Sequence, residues 1–168
     1  MKRALKLLEL LVALAIIGTL AAVAIPRLGQ ATPGADDADP RGRLNVLRCA
    51  IELYYQDHGA YPAQKGDGQH AAGTEAAFVS QLTSFTDENG VAARTKDATH
   101  RFGPYLRMGI PACPVPPRQN QSGVVIVSIR PAWVGSAGAA GWVYNCRTGA
   151  IVLNSNAPNP DGVRYDEY

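Results

Sequence analysis

Few residues in this chain could carry out chemistry, and they are scattered along it. The three histidines, His58, His70 and His100, each stand beside polar residues, with no nucleophile or second metal ligand at a matching spacing. The chain has no Gly-x-Ser-x-Gly turn, no zinc-binding spacing and no phosphate-binding loop. The sequence therefore predicts a protein that is not an enzyme.

One ionisable residue stands where an apolar segment should have none. Glu9 is the only charge between Leu7 and Ile25. As a helix, this run would rise about 28 Å and match the hydrocarbon thickness of a bilayer. A lone carboxylate there is costly, but in a packed bundle it could meet a cation such as the α-amine of a neighbouring subunit. The alternative is that Glu9 lies near enough to the end of the helix for its carboxylate to reach the membrane–water interface.

The charges around this run favour one orientation. Lys2, Arg3 and Lys6 precede it, and only Arg27 follows closely. The positive-inside rule then predicts a cytoplasmic N-terminus and an external C-terminal part. The alternative is a secretory signal that is removed after 22–24, which read Ala-Val-Ala. Glu9 favours the retained anchor, because a carboxylate has no use within a signal peptide.

The segment from Leu5 to Pro26 resembles the N-terminal signature of type IV pilins and of type II secretion pseudopilins. That signature has a cleavage site, a glutamate at the fifth mature position, an unbroken apolar helix and a proline near its end. Counted from Leu5, Glu9 is the fifth residue and Pro26 the twenty-second. The resemblance implies cleavage by prepilin peptidase between Ala4 and Leu5, methylation of Leu5, and a role for Glu9 in assembly. Family members have glycine and phenylalanine where Ala4 and Leu5 stand.

Two later segments are also similar to that family. Gly59-Ala60-Tyr61-Pro62 follows a helical pattern, as the Gly-x-Tyr-Pro turn of pseudopilins does, and 141–149 is similar to the C-terminal hairpin. The resemblance implies a structural subunit of a type II secretion pseudopilus, or of a type IV pilus-like filament, that supports protein export across the outer membrane. The alternatives are a minor pilin of an adhesion or DNA-uptake pilus, and a secreted binding domain released from a signal peptide.

The resemblance also implies a location and partners. It implies a single-pass protein of the bacterial inner membrane, with a periplasmic or extracellular C-terminal domain, that becomes part of a periplasmic filament. Its partners would be further copies of the chain, other pseudopilins, prepilin peptidase and the inner-membrane assembly platform. No nucleic-acid partner is expected, because 27–168 carries thirteen basic and thirteen acidic residues and so has no net charge.

The patterns divide the chain into four parts. A basic leader at 1–4 is followed by a transmembrane or filament-core helix at 5–26, with local weakening at Gly18 and Pro26. A linker or interrupted helix at 27–40 leads to an extracytoplasmic globular domain at 41–168.

The fold class predicted for the globular domain is α+β. Apolar residues at helical spacing predict a helix from about 40 to 58, and a second, shorter helix is expected at 75–85. Segments 124–130, 142–145 and 151–154 are predicted to form three antiparallel strands packed on the first helix.

The three cysteines allow one disulfide. Cys113 lies in a proline-rich loop and Cys146 in the hairpin. Because disulfides persist outside the membrane, where this domain is expected to lie, we predict a bridge between these two cysteines. Cys49 is then a small buried hydrophobe. The alternative is three free thiols.

The C-terminal stretch is rich in side-chain oxygens. Some major pseudopilins bind calcium in a C-terminal acidic loop, so the resemblance makes Asn159, Asp161 and Asp166 weak calcium candidates. Their spacing matches no EF-hand loop, and a solvated tail is the preferred interpretation. No other cofactor is expected.

Overall fold

The computed structural model describes residues 39–131 and 140–168, which form an α+β domain. Its elements, in chain order, are α1 (Pro40–His58), α2 (Glu75–Thr83), β1 (Phe85–Thr86), β2 (Ala92–Ala93), β3 (Gly123–Val127), β4 (Ala140–Asn145), β5 (Ile151–Leu153) and a short 3-10 helix (Tyr165–Glu167). The predicted leader, apolar helix and most of the linker fall at 1–38, outside the described residues, so that division of the chain stays a prediction.

The location predicted from the sequence, a single-pass inner-membrane protein, has to be corrected. None of the helices within 39–131 and 140–168 combines the length and the apolar character needed to cross a membrane. The longest of them, α1, has nineteen residues and includes three arginines, a glutamate and an aspartate. The segment expected to span the bilayer, 5–26, lies outside the described residues.

Helix α1 has the predicted bounds, and its sequence supplies both of its caps. The Asp39 carboxylate accepts the backbone N–H groups of Arg41 and Gly42 at 3.0 and 3.1 Å, with Pro40 in the first turn. At the other end Gly59 adopts φ 63° and donates its N–H to the Tyr55 carbonyl. The helix is therefore fixed at both termini by local hydrogen bonds.

Helix α2 begins as predicted but ends two residues early. The Thr74 hydroxyl accepts the Ala77 N–H at 3.2 Å, as an N-cap does. After Thr83 the chain becomes extended, and β1 pairs antiparallel with β2. Thr86 also exchanges backbone hydrogen bonds with Phe102. The helix does not continue to Phe85, because Phe85 and Thr86 pair with β2 and with Phe102 instead.

The main sheet has the order β3-β4-β5, and one of its two pairings differs from the prediction. β4 and β5 are antiparallel, as expected for a hairpin, but β3 and β4 run parallel. Parallel neighbours need a long crossover, and the twelve residues between Val127 and Ala140 supply one. The prediction of three antiparallel strands was wrong because it ignored the length of this connection.

The core lies between the two helices and β4. All six residues of β4 are buried, as expected of a central strand. The Phe78 ring of α2 packs on the Tyr144 ring of β4, with centroids 4.4 Å apart. From α1, Leu47 and Ile51 are fully buried in the same cluster. The apolar face predicted for α1 is confirmed by this burial, which supplies most of the free energy that holds the elements together.

The turn after α1 packs on the turn of the β4–β5 hairpin. Tyr61 stacks on Tyr55 with ring centroids 4.4 Å apart. Its ring also covers Gly149, which has φ 73°. A β-carbon at Gly149 would lie 2.3 Å from Tyr61 Cε1. The structure thus brings together two segments that are far apart in the sequence, and only glycine fits at their contact.

The substitution Gly149→Ala should destabilise the domain by about 2–4 kcal/mol, because it adds both a positive-φ penalty and a clash with Tyr61. Chemical denaturation gives the free energy of unfolding. Gly162→Ala is the matched control, since Gly162 has φ 82° but a β-carbon at that position would meet no atom within 4 Å. It should cost about 1 kcal/mol. Equal losses in the two variants would contradict the proposed contact.

Candidate functional site

Half of the site residues predicted from the sequence lie outside the described part of the chain. The predicted processing residues Ala4 and Leu5, the assembly residue Glu9 and the helix-weakening Gly18 and Pro26 all fall within 1–38. Their roles stay predictions. The remaining predicted sites, the disulfide and the calcium candidates, lie in described regions.

The expected disulfide is absent, because all three cysteines are free thiols in the structure. A β-carbon built at Gly141, in the second position of β4, would lie 2.6 Å from Cys113 Cβ. Cys146 follows the last residue of the same strand. Cys146 is five positions beyond Gly141, which corresponds to roughly 16 Å of extended chain, whereas a disulfide needs Cα atoms within about 7 Å. The bridge is therefore excluded by the length of β4.

The burial of the three thiols differs from the prediction. Cys113 is completely buried, and burial raises the pKa of its thiol. Cys49, predicted to be buried, is exposed on α1. It lies on the side of α1 away from the buried Leu47 and Ile51.

The calcium candidates serve the local structure of the C-terminal segment. Asn159 Oδ1 accepts the N–H groups of Asp161 and Val163, both at 2.9 Å. Asp166 pairs with the Arg164 guanidinium at 2.7 Å. Within 39–131 and 140–168, no group of three or more His, Cys, Asp or Glu side chains could hold a metal ion. Asn159 thus closes a turn and Asp166 forms an ion pair. The preferred interpretation of the sequence, a solvated tail, predicted neither.

Helix α1 carries a second apolar face, which the sequence analysis missed. Val46 and Leu53 are 52% and 50% exposed, and Cys49 is exposed between them. The three side chains stand at i, i+3 and i+7, on the side of the helix away from the buried Leu47 and Ile51. We call Val46, Cys49 and Leu53 the outer stripe. Applying the same 3.6-residue period to the opposite face of α1 would have revealed it.

The outer stripe is held on a firmly fixed helix. The Arg43 guanidinium donates to the Ala112 carbonyl at 2.7 Å, and the Arg48 guanidinium donates to the carbonyls of Ile151 and Tyr168. The Tyr168 ring also lies under the Arg41 guanidinium, 4.6 Å from centroid to cation. α1 therefore presents its outer stripe in a single orientation on the domain.

Each of the three histidines makes a contact within the described domain. The His58 ring stacks on Tyr54 with centroids 4.0 Å apart, and its Nδ1 lies 2.9 Å from the Tyr54 carbonyl. His70 and His100 each close a turn on an aspartate three residues earlier, Asp67 and Asp97. The sequence signal was the repeated Asp-x-x-His spacing.

The two aspartates differ in burial. Asp67 is 1% exposed, and burial alone would raise its pKa. Hydrogen bonds from the Ser80 hydroxyl, from the ring and N–H of His70 and from the Gln69 N–H outweigh that effect and lower the pKa well below its usual range. At the exposed Asp97, hydrogen bonds from the N–H and ring of His100 and from the Thr99 N–H lower the pKa to about 2. Both carboxylates are ionised at neutral pH.

The depressed pKa of Asp67 predicts a contribution to stability that depends on pH. The contribution is fully present above the unfolded-state pKa near 4 and is lost as the pH falls toward the folded-state value. At pH 7, Asp67→Asn should destabilise the domain by about 1–3 kcal/mol, because the four donors that converge on the buried carboxylate lose their anionic acceptor. At pH 3 the difference in the free energy of unfolding between the variant and the parent should be smaller. A difference that stays constant in denaturation curves between pH 7 and pH 3 would contradict the role of the ionised Asp67.

The comparisons with known proteins give one partial likeness. The chain is similar to the fimbrial protein EcpC of Eikenella corrodens, with 31% identity over 94 residues, which is 55% of this chain and 61% of that protein. The chain thus spans less than two thirds of the length of this relative. No protein-family model matches the chain. No solved structure matches it either. The likeness is therefore to a fimbrial protein, and over part of the chain.

Proposed function

We propose that this chain is a structural subunit of a pilus-like filament and that its role is not catalytic. The observation that carries the proposal is the outer stripe of α1, an apolar surface that has no partner within the described domain. The partial likeness to a fimbrial protein supports the same role.

The outer stripe differs from the scattered apolar residues that any protein surface shows. Single exposed leucines or valines need no explanation, but three apolar side chains on successive turns of one helix form a continuous patch. A helix that is apolar on two faces is normally buried between two partners. For α1 the core supplies one partner, and a neighbouring subunit would supply the other.

Burial of this stripe would favour association without rearrangement. Covering the exposed halves of Val46 and Leu53 would contribute roughly 1 kcal/mol each. These gains are small, but a filament repeats them at every subunit. Because α1 is already fixed by Arg43 and Arg48, association would not require the helix to become ordered.

Within this class we propose the secretion pseudopilus as the specific assembly, with other pseudopilins as further partners. The support is the resemblance of 5–26 to the pseudopilin signature, together with the Gly59–Pro62 turn that ends α1. In that setting the filament would support protein export across the outer membrane.

The proposal can be tested by placing a charged side chain in the outer stripe. Leu53→Glu should reduce the yield of sheared filament at least tenfold at matched subunit levels, because a buried unpaired carboxylate costs several kcal/mol. The midpoint of thermal unfolding should change little, since the side chain is already half exposed. The matched control is Ile129→Glu, which places the same charge at a residue that is 75% exposed and outside α1. Equal filament yields from the two variants would rule out the outer stripe as the contact.

The thiol of Cys49 provides a second test without altering the apolar residues. Maleimide should label Cys49 rapidly in the dispersed subunit and at least tenfold more slowly in filaments, because assembly covers the stripe. Cys146, which is partly exposed beyond β4, is the internal control and should react at similar rates in both states. The site of labelling is read by peptide mass spectrometry. A Cys49 that reacts equally fast in both states would show that the stripe stays exposed in the filament.

A further inference from the structure

Asn89 is the only asparagine of the chain that is followed by glycine, and it lies in the turn between β1 and β2. An asparagine before glycine is prone to deamidation, because glycine has no side chain to hinder attack by its backbone nitrogen on the asparagine amide. Asn89 is exposed, so water and hydroxide reach its side chain. The sequence thus places a reactive pair on the surface of the domain.

The folded turn holds the backbone nitrogen that would attack. The Gly90 N–H donates to the Asp87 carbonyl at 3.1 Å. Asp87 Oδ1 accepts the N–H groups of Asn89 and Val91, both at 2.8 Å. The Gly90 carbonyl accepts a hydrogen bond from the buried Gln81 Nε2 at 3.0 Å. Gly90 is therefore fixed through its N–H by the turn and through its carbonyl by a buried amide.

Gly90 is also enclosed, because its main chain lies against two buried side chains. A β-carbon at Gly90 would clash with the Tyr54 hydroxyl of α1 and would lie 3.2 Å from Gln81 Nε2. Rotation of Gly90 toward the Asn89 side chain would break these contacts. The reactive geometry is thus accessible only when this part of the domain opens.

We propose that Asn89 is a site of spontaneous deamidation that the folded domain suppresses, and that isoaspartate formed there prevents a return to full native stability. Hydroxide removes the proton from the Gly90 N–H, and the nitrogen bonds to Asn89 Cγ. The side-chain nitrogen takes a proton from water and leaves as ammonia. Water then opens the succinimide ring at either carbonyl, which gives aspartate or isoaspartate with one new negative charge. The proposal does not depend on a role in a filament.

Isoaspartate is the product that the fold cannot accommodate. It directs the main chain through the former β-carbon, which adds one methylene between position 89 and Gly90. Gly90 then cannot keep both its bond to the Asp87 carbonyl and its bond from Gln81. A chain modified while unfolded should therefore refold into a less stable domain, because buried polar groups lose their partners.

The C-terminal segment contains a matched turn without this enclosure. The Gly162 N–H donates to the Asn159 carbonyl at 3.0 Å, and Asn159 Oδ1 accepts the N–H groups of Asp161 and Val163. These are the same three bonds as at 87–91, and the two glycines share φ 82°. Gly162, however, is exposed, and a β-carbon there would meet no atom within 4 Å. Asp161→Asn therefore gives a second Asn-Gly-Val sequence in an open copy of the turn.

The first experiment uses the full chain carrying Asp161→Asn and measures both positions in one sample. The protein is incubated at mildly alkaline pH with and without urea, and peptide mass spectrometry follows deamidation at each position. In urea the two positions should react at similar rates, because their local sequences match. Without urea, position 89 should react at least tenfold more slowly than position 161. Equal rates at the two positions without urea, or an Asn89 that reacts as fast without urea as with it, would overturn the proposal.

The second experiment separates the added methylene from the added charge. Chains with isoaspartate at position 89, purified by chromatography after incubation in urea, are refolded and compared with the Asn89→Asp variant. The two proteins have the same charge, but only the first has a lengthened main chain. Its midpoint of thermal unfolding should be several degrees lower than that of Asn89→Asp. Equal midpoints would show that Gly90 tolerates the insertion and would overturn the proposed loss of stability.

Discussion

The irregular segments of the fold depend on one buried amide, the side chain of Gln81 on α2. Its Oε1 accepts the Ala63 N–H at 2.6 Å, and its Nε2 donates to the Gly90 carbonyl at 3.0 Å and lies within reach of the Lys65 and Gly66 carbonyls. The domain has long irregular segments, and their buried backbone groups must find partners that regular structure does not provide. Gln81 satisfies groups from two of these segments at once, which leaves no apolar replacement of similar shape acceptable.

Other buried amides repeat this solution around the sheet. Asn154 Nδ2 donates to the Ala140 carbonyl at the start of β4, and Asn145 Nδ2 donates to the Ile129 carbonyl after β3. The Tyr144 hydroxyl donates to the Pro62 carbonyl in the loop after α1. Polar side chains thus fix the loops, and the inner face of α1 packs in the core. The outer stripe takes part in neither kind of contact. Assembly is therefore the role proposed for it.

The sequence predicted what local chemistry determines and missed what depends on contacts between distant segments. Asp39, Pro40 and Gly59 define the ends of α1, and each acts within a few residues, so the bounds of this helix were predicted correctly. The parallel pairing of β3 with β4 depends on which edge the returning chain joins, and strand patterns carry no such information. The Cys113–Cys146 bridge failed for a similar reason. Both residues were placed in plausible loops, but the length of β4 keeps them apart.

The outer stripe is separate from the polar contacts that fix α1 on the domain. Arg43 and Arg48 donate hydrogen bonds to the carbonyls of Ala112 and Tyr168, whereas Val46, Cys49 and Leu53 are exposed. Association through the stripe would therefore leave the contacts of α1 with the rest of the domain in place. The stability of the subunit and its tendency to associate then depend on different side chains of the same helix.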